Sequence, residues 1–197
     1  MSEELFKAVE QCNAQELKRA LEQGADVNTQ NKFRETPLHI ACALGCLDCA
    51  TLLLERGAGA NALDNLGLTP LLHASAEGCP ELVSLLLDHG ANIEHREYVC
   101  NMNALHTAAQ ADNASVVSQL IQLGLAVDDP DQSGWTSLHN AVRFGCQASA
   151  EILLENGASL MVRNNRGWTA LDIARNAIGL DEVDTVMVGL LERYRKS

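Results

Sequence analysis

Thr36-Pro37-Leu38-His39-Ile40-Ala41 decides the fold, because it comes back. It returns 33 residues later as Thr69-Pro70-Leu71-Leu72-His73-Ala74 and, after a spacing of 34, as Asn103-Ala104-Leu105-His106-Thr107-Ala108. Thr136-Ser137-Leu138-His139-Asn140-Ala141 and Thr169-Ala170-Leu171-Asp172-Ile173-Ala174 follow, each 33 further on. A second marker keeps step with the first: Gly24-Ala25, Gly57-Ala58, Gly90-Ala91, Gly124-Leu125 and Gly157-Ala158. Between the two lie apolar residues at helical spacing, such as Leu82, Val83, Leu85 and Leu86. A fixed period of this length marks a repeat architecture, in which each repeat is one supersecondary unit.

The chemistry of the markers gives the unit its shape. Thr caps a short helix, and Pro is tolerated at the first helical position, where its missing N–H has no partner to lose. Gly45, Gly78 and Gly145 suit a tight reversal into a second, antiparallel helix, since glycine accepts positive φ. Gly24, Gly57, Gly90, Gly124 and Gly157 stand where that second helix should stop. Asp64-Asn65-Leu66-Gly67, Asp131-Gln132-Ser133-Gly134 and Asn164-Asn165-Arg166-Gly167 then read as turns leading to the next copy. One such unit cannot bury its apolar face alone, so neighbours must stack.

Five in-phase copies over nearly the whole chain resemble the ankyrin-repeat family. The resemblance implies an all-α solenoid of stacked antiparallel helix pairs joined by projecting β-hairpin loops, as a single domain over 1–197. Its divisions would be a capping repeat at 1–31, repeats at 32–64, 65–98, 99–131 and 132–164, and a second cap at 165–197. At the N-terminal end Leu5-Phe6-Lys7-Ala8 falls in register, with polar Glu3, Glu4, Lys7, Glu10 and Gln11 on its outer positions. At the other end Leu180 to Tyr194 is longer than a standard second helix, and Arg193-Tyr194-Arg195-Lys196 is expected to fray. One copy departs from the period. Gly90 to Asn103 is one residue longer than the same interval elsewhere, and the extra residue falls in Glu94–Met102. That insertion reads either as drift in a tolerant loop or as a dedicated contact.

Composition narrows the function classes. The 197 residues are 47% hydrophobic and 20% charged, too apolar for a disordered chain. The longest apolar runs fall far below the ~20 residues of a membrane helix. Met1-Ser2-Glu3-Glu4 is acidic where a secretory signal would be basic, so a cytoplasmic protein is expected, with the nucleus as a second compartment. The net charge of −12 argues against nucleic acid, which needs clustered Lys and Arg.

Motifs that mimic chemistry dissolve against the repeat. The odd count of seven cysteines and the absence of a signal predict reduced thiols. His39, Cys42, Cys46 and Cys49 look like a metal cluster, yet the repeat puts Cys42 and Cys49 on different helices. Cys46, Cys79 and Cys146 share one register, and stacked repeats about 10 Å apart exceed the ~7 Å Cα separation a disulfide tolerates. Asp129-Pro130-Asp131-Gln132-Ser133-Gly134 resembles the start of a calcium loop, but Asn140 stands where the bidentate Glu belongs. His39, His106 and His139 recur at one position, with His73 one step displaced, which suits a hydrogen-bonding scaffold element. No nucleophile elbow or phosphate-binding glycine loop is present. The expectation is a protein that is no enzyme, with no cofactor, no metal and no catalytic residues.

The resemblance also places the binding surface, on the hairpin tips and the exposed side of each first helix. In the first full copy that gives Phe33 and Leu44, and in the next Leu66, Leu68 and Glu77. The lengthened copy gives Val99, Cys100 and Met102. The last two give Trp135, Arg143 and Phe144, then Arg166 and Trp168. Four of the chain's seven aromatic residues lie at these positions, with an aliphatic stretch between. An apolar strip rimmed by arginine usually marks an interaction site, with its centre expected at Trp135, Phe144 and Trp168. For the two tryptophans, packing of hairpin on hairpin is an equal reading. Residues 57–142 hold ten acids and one base, read either as a solvated face or as a field that steers a partner with a basic patch. Leu21 to Asp26-Val27-Asn28 resembles the stretch modified by the animal asparaginyl hydroxylase of oxygen sensing, which makes Asn28 a candidate for hydroxylation; the other reading is an ordinary turn residue. The expected protein is a monomeric adaptor for a protein partner. The alternative is an inhibitor or chaperone that sequesters an enzyme or transcription factor.

Overall fold

The computed structural model describes residues 2–176 and 184–196. Twelve helices and no strand occur among them. The chain divides into two compact units, Met1–Val99 and Cys100–Ser197.

The first unit holds three antiparallel pairs: α1 (Ser2–Glu10) with α2 (Ala14–Glu22), α3 (Pro37–Ala43) with α4 (Leu47–Glu55), and α5 (Pro70–Glu77) with α6 (Pro80–Asp88). First helices pack on first helices and second on second, α1 on α3 on α5 and α2 on α4 on α6. The second unit repeats this arrangement with α7 (Ala104–Gln110), α8 (Ala114–Gln122), α9 (Ser137–Arg143), α10 (Gln147–Glu155), α11 (Ala170–Arg175) and α12 (Thr185–Lys196). Leu5, Leu17, Leu38, Leu53, Leu71 and Leu86 are fully buried in the first core, and Leu105, Leu120, Leu138 and Leu153 in the second. Each buried leucine contributes about 2 kcal/mol relative to exposure.

The helix starts follow the sequence markers. Thr36 is extended at the N-cap, Pro37 opens α3, and Thr36 with His39 forms a reciprocal capping box. Asn103 does the same work where the Thr-Pro pair is missing, accepting from the N–H groups of Leu105 and His106. α12 is twelve residues long against nine for α10 and runs to Lys196, so the tail expected to fray is helical. The expected start of that helix, from Leu180, lies partly outside the described residues.

Two reversals depart from glycine. Gly45, Gly78 and Gly145 take φ of 68°, 85° and 70°, as their places require, but Cys12 and Asp112 hold the same position at 48° and 58°. Both tie their side chains to the next repeat. Asp112 Oδ1 accepts from the backbone N–H of Ser149 at 2.8 Å. Cys12 is bonded to Cys46, with Cα atoms 5.5 Å apart, which corrects the expectation that all seven thiols are reduced. The ~10 Å stacking distance governs equivalent positions; Cys12 occupies the reversal itself, one step before the register of Cys46. Cys42, Cys49, Cys79 and Cys146 form no disulfide.

Candidate functional site

The projecting loops are tight turns built on one acceptor each. Asn31 Oδ1 accepts from the N–H groups of Phe33 and Glu35, Asp64 Oδ1 from Leu66 and Leu68, Asp131 Oδ1 from Ser133 and Trp135, and Asn164 Oδ1 from Arg166 and Trp168. The residue three places beyond each acceptor is left-handed: Arg34, Gly67, Gly134 and Gly167. Single backbone bonds join neighbouring turns within a unit, Asn65 N–H to the Phe33 carbonyl and Asn165 N–H to that of Ser133. This pairing is too short to form a strand.

The lengthened copy substitutes a longer acceptor. Glu97 is buried, and its Oε2 accepts from the Val99 N–H at 2.5 Å; the left-handed residue moves on to Asn101. On its N-terminal side the turn is in step counted from Glu97, since the Tyr98 N–H bonds to the Leu66 carbonyl. On its C-terminal side it is in step counted from Asn103, since the Cys100 carbonyl accepts from the Gln132 N–H. The register count from Asn103 therefore misses Tyr98, which is 64% exposed with its ring over Gly67. Counting forward from the acidic acceptor would have found it.

Within the first unit Phe33, Leu44 and Leu66 are exposed apolar residues, as expected, and Lys32 Nζ lies 4.8 Å from the Phe33 ring centre. Leu68 is half-buried, and Glu77 is exposed with its stem beside Gly45. Within the second unit Phe144 is 50% exposed, Arg143 and Arg166 are exposed, and Trp168 and Met102 are half-buried. Met102 turns its sulfur to the Asn140 amide at 3.7 Å. Of the two readings of Trp135, burial favours packing: only 9% of it is accessible. Its N–H is held by Asp131, its carbonyl accepts from His106 Nε2 at 3.1 Å, and its ring lies beside His139 and beneath Arg143. The Arg143 guanidinium is 5.3 Å from the Trp135 ring centre and 5.6 Å from that of Phe144, and Arg166 is 5.3 Å from that of Trp168.

The recurring histidines are scaffold, as their register predicts. His39 Nδ1 accepts from the Thr36 N–H at 3.0 Å, so Nε2 carries the proton toward the Ala62 and Leu68 carbonyls. His139 repeats this between Thr136 and the Trp168 carbonyl. Burial holds both below the ordinary histidine value, and the neighbouring His73 pushes His39 further the same way. His73 itself, one step displaced, faces Asp64 at 3.4 Å instead of capping a helix.

Among the described residues one group has the donor atoms for a metal ion, Glu35, Asp64 and His73, with those atoms within 4.8 Å of one another. Each already has a partner: Glu35 takes the Asn31 amide at 2.7 Å, and Asp64 takes two backbone N–H groups and His73. The cysteine look-alike does not assemble. Cys42 and Cys49 are fully buried with raised thiol pKa, chiefly through burial, while Cys46 is spent on Cys12. Asn28 is exposed, yet its amide bridges to the next repeat, donating to the Gly57 carbonyl and accepting from the Gly59 N–H; Asn61 does the same with Gly90 and Asn92.

The chain matches the family described as Ankyrin repeats (3 copies) over residues 5–97 and 94–164. It is 44% identical over 164 residues to the potassium channel AKT1 of Arabidopsis thaliana, covering 80% of this chain and 18% of that protein. It is 36% identical over 93 residues to protein phosphatase 1 regulatory subunit 12A of Mus musculus, 47% of this chain and 8% of that one. With the inhibitor of Bruton tyrosine kinase of Homo sapiens it shares 38% over 77 residues, 38% of this chain and 6% of that one. The chain thus spans less than a fifth of each of these relatives.

Proposed function

Because this chain belongs to the ankyrin-repeat family, whose repeats are protein–protein interaction modules, we propose that it is a non-enzymatic adaptor working in the cytoplasm or nucleus. It binds a protein partner, as a monomer, through its turn tips and first-helix surface. One observation carries this reading: Phe144, half exposed at the end of α9, lies under the same guanidinium that covers Trp135. A large aromatic left open to water beside an exposed arginine has the composition of an interface centre. Phe33 and Leu66 supply a smaller apolar patch on the first unit. The ten acids against one base in residues 57–142 support a partner that presents a basic patch there, with binding that weakens as salt rises. Hydroxylation of Asn28 belongs to the same proposal, and a tryptic peptide heavier by one oxygen atom would report it.

A second reading, a sequestering inhibitor, draws support from the names of two relatives, a phosphatase regulatory subunit and a kinase inhibitor. The test is affinity capture from native cells with wild type beside a Phe144→Ala, Trp168→Ala variant whose helical content is intact. Partner affinity should fall about tenfold or more, as for a truncated interface anchor. A partner retained undiminished by the variant refutes the surface. A captured enzyme whose activity falls when the protein is added selects the inhibitor reading.

A further inference from the structure

The second unit carries an arrangement that the first lacks. Trp135 and Trp168 stand at the same place in adjacent repeats, and each has a guanidinium over its ring at 5.3 Å. Arg143 and Arg166 are exposed and pair with no carboxylate among the described residues, whereas Arg163 and Arg175 are matched with Asp172 and Glu192. Asp131 Oδ1 accepts from two turn N–H groups, and Asp184 Oδ1 caps α12 by accepting from Val186 and Met187. An exposed guanidinium held over an indole keeps donors open to water, and its fork matches a carboxylate bidentately.

Charge supports the same occupant. The chain is −12 as a whole, but residues 143–197 contain seven acids and seven bases, all seven bases of the second unit among them. Asp128, Asp129 and Asp131 precede Trp135 in the sequence, so the attraction for an anionic segment is local to the two guanidinium groups. We infer that the two arginine–tryptophan pairs dock an extended acidic segment of the partner protein, one carboxylate per guanidinium, with Phe144 receiving an apolar side chain beside them. This rests on the protein-binding reading above and names the chemistry of its partner.

The chain's only two tryptophans are the two in these pairs, so their emission reports the site directly. The experiment selects a phage library of random dodecapeptides on the immobilised protein, then measures the winning peptides in solution by tryptophan emission. The expected winners carry two Asp or Glu at a constant spacing, shift the emission and weaken with salt. An Arg143→Gln, Arg166→Gln variant should bind them at least about tenfold less well. Lysine in place of both arginines keeps the charge but not the fork, and should fall between, which separates docking from a general field effect and guards against a misfolded glutamine variant. Winners without acidic residues, acidic winners that bind the glutamine variant undiminished, or an empty selection overturn the inference. If apolar winners still need Phe144, the protein-binding surface stands and only the acidic segment falls; winners indifferent to Phe144 and Trp168 remove both.

Discussion

The two units build the same three helix pairs and secure their first reversal by different chemistry. In the first, Cys12 takes the left-handed place of a glycine and bonds covalently to Cys46. In the second, Asp112 takes it and grips the Ser149 N–H. A non-glycine residue at positive φ costs about 1–3 kcal/mol, and in both units the side chain that incurs the strain also makes the link to the next repeat. The surfaces differ in turn. The first unit exposes Phe33, Leu44 and Leu66 amid an acid excess, while the second sets Trp135, Phe144 and Trp168 beneath arginines. Equivalent backbone positions therefore tolerate different side chains as long as each reversal is tied and each turn has its acceptor.

The staple offers the largest test of that comparison. Reduction, or Cys12→Ser, should destabilise the first unit by about 3–4 kcal/mol, the chain-entropy value for a loop of this length. Because both tryptophans lie in the second unit, denaturation followed by tryptophan emission should move less than denaturation followed by circular dichroism. Coincident shifts would show that the units unfold as one. Next in size, Gly78→Val places a β-branched residue at φ 85° with no compensating tie and should cost about 2 kcal/mol. Asp112→Gly, which gives up a hydrogen bond but relieves the strain, should cost less by the same urea titration. If the two cost the same, strain is not what the reversal position selects against.

The smallest effect concerns acid. His39 and His139 have folded-state values below the ordinary 6.5, chiefly through burial, so the unfolded chain binds protons that the folded one refuses. Stability is complete above about pH 6.5 and is lost as pH falls from there toward the folded-state values. His73→Leu should raise the titration of His39 and leave that of His139 unchanged, since only His39 has a second imidazole against it. Proton NMR of the ring resonances would read this, and equal movement of both would refute the assignment.

The period, the caps and the scaffold role of the histidines were legible in the sequence because they are local: a Thr-Pro step and a glycine at a fixed interval act through their own backbone. The same counting failed across the insertion, where Glu97 extends the acceptor and Tyr98 takes the register place counted for Val99, both being exposed. It also left packing and partner contact as equal readings of Trp135, whose ring lies under Arg143 and beside His139.

By itself, then, the sequence determined the repeat, its helix pairs, the acidic balance and the family, since each follows from spacing and composition. Only the tertiary structure decided that Cys12 meets Cys46, that Asp112 reaches Ser149, and that two arginines lie over two tryptophans. Those facts depend on side-chain directions between neighbouring repeats, and a period fixes where a residue sits along the chain but not which neighbour its side chain meets.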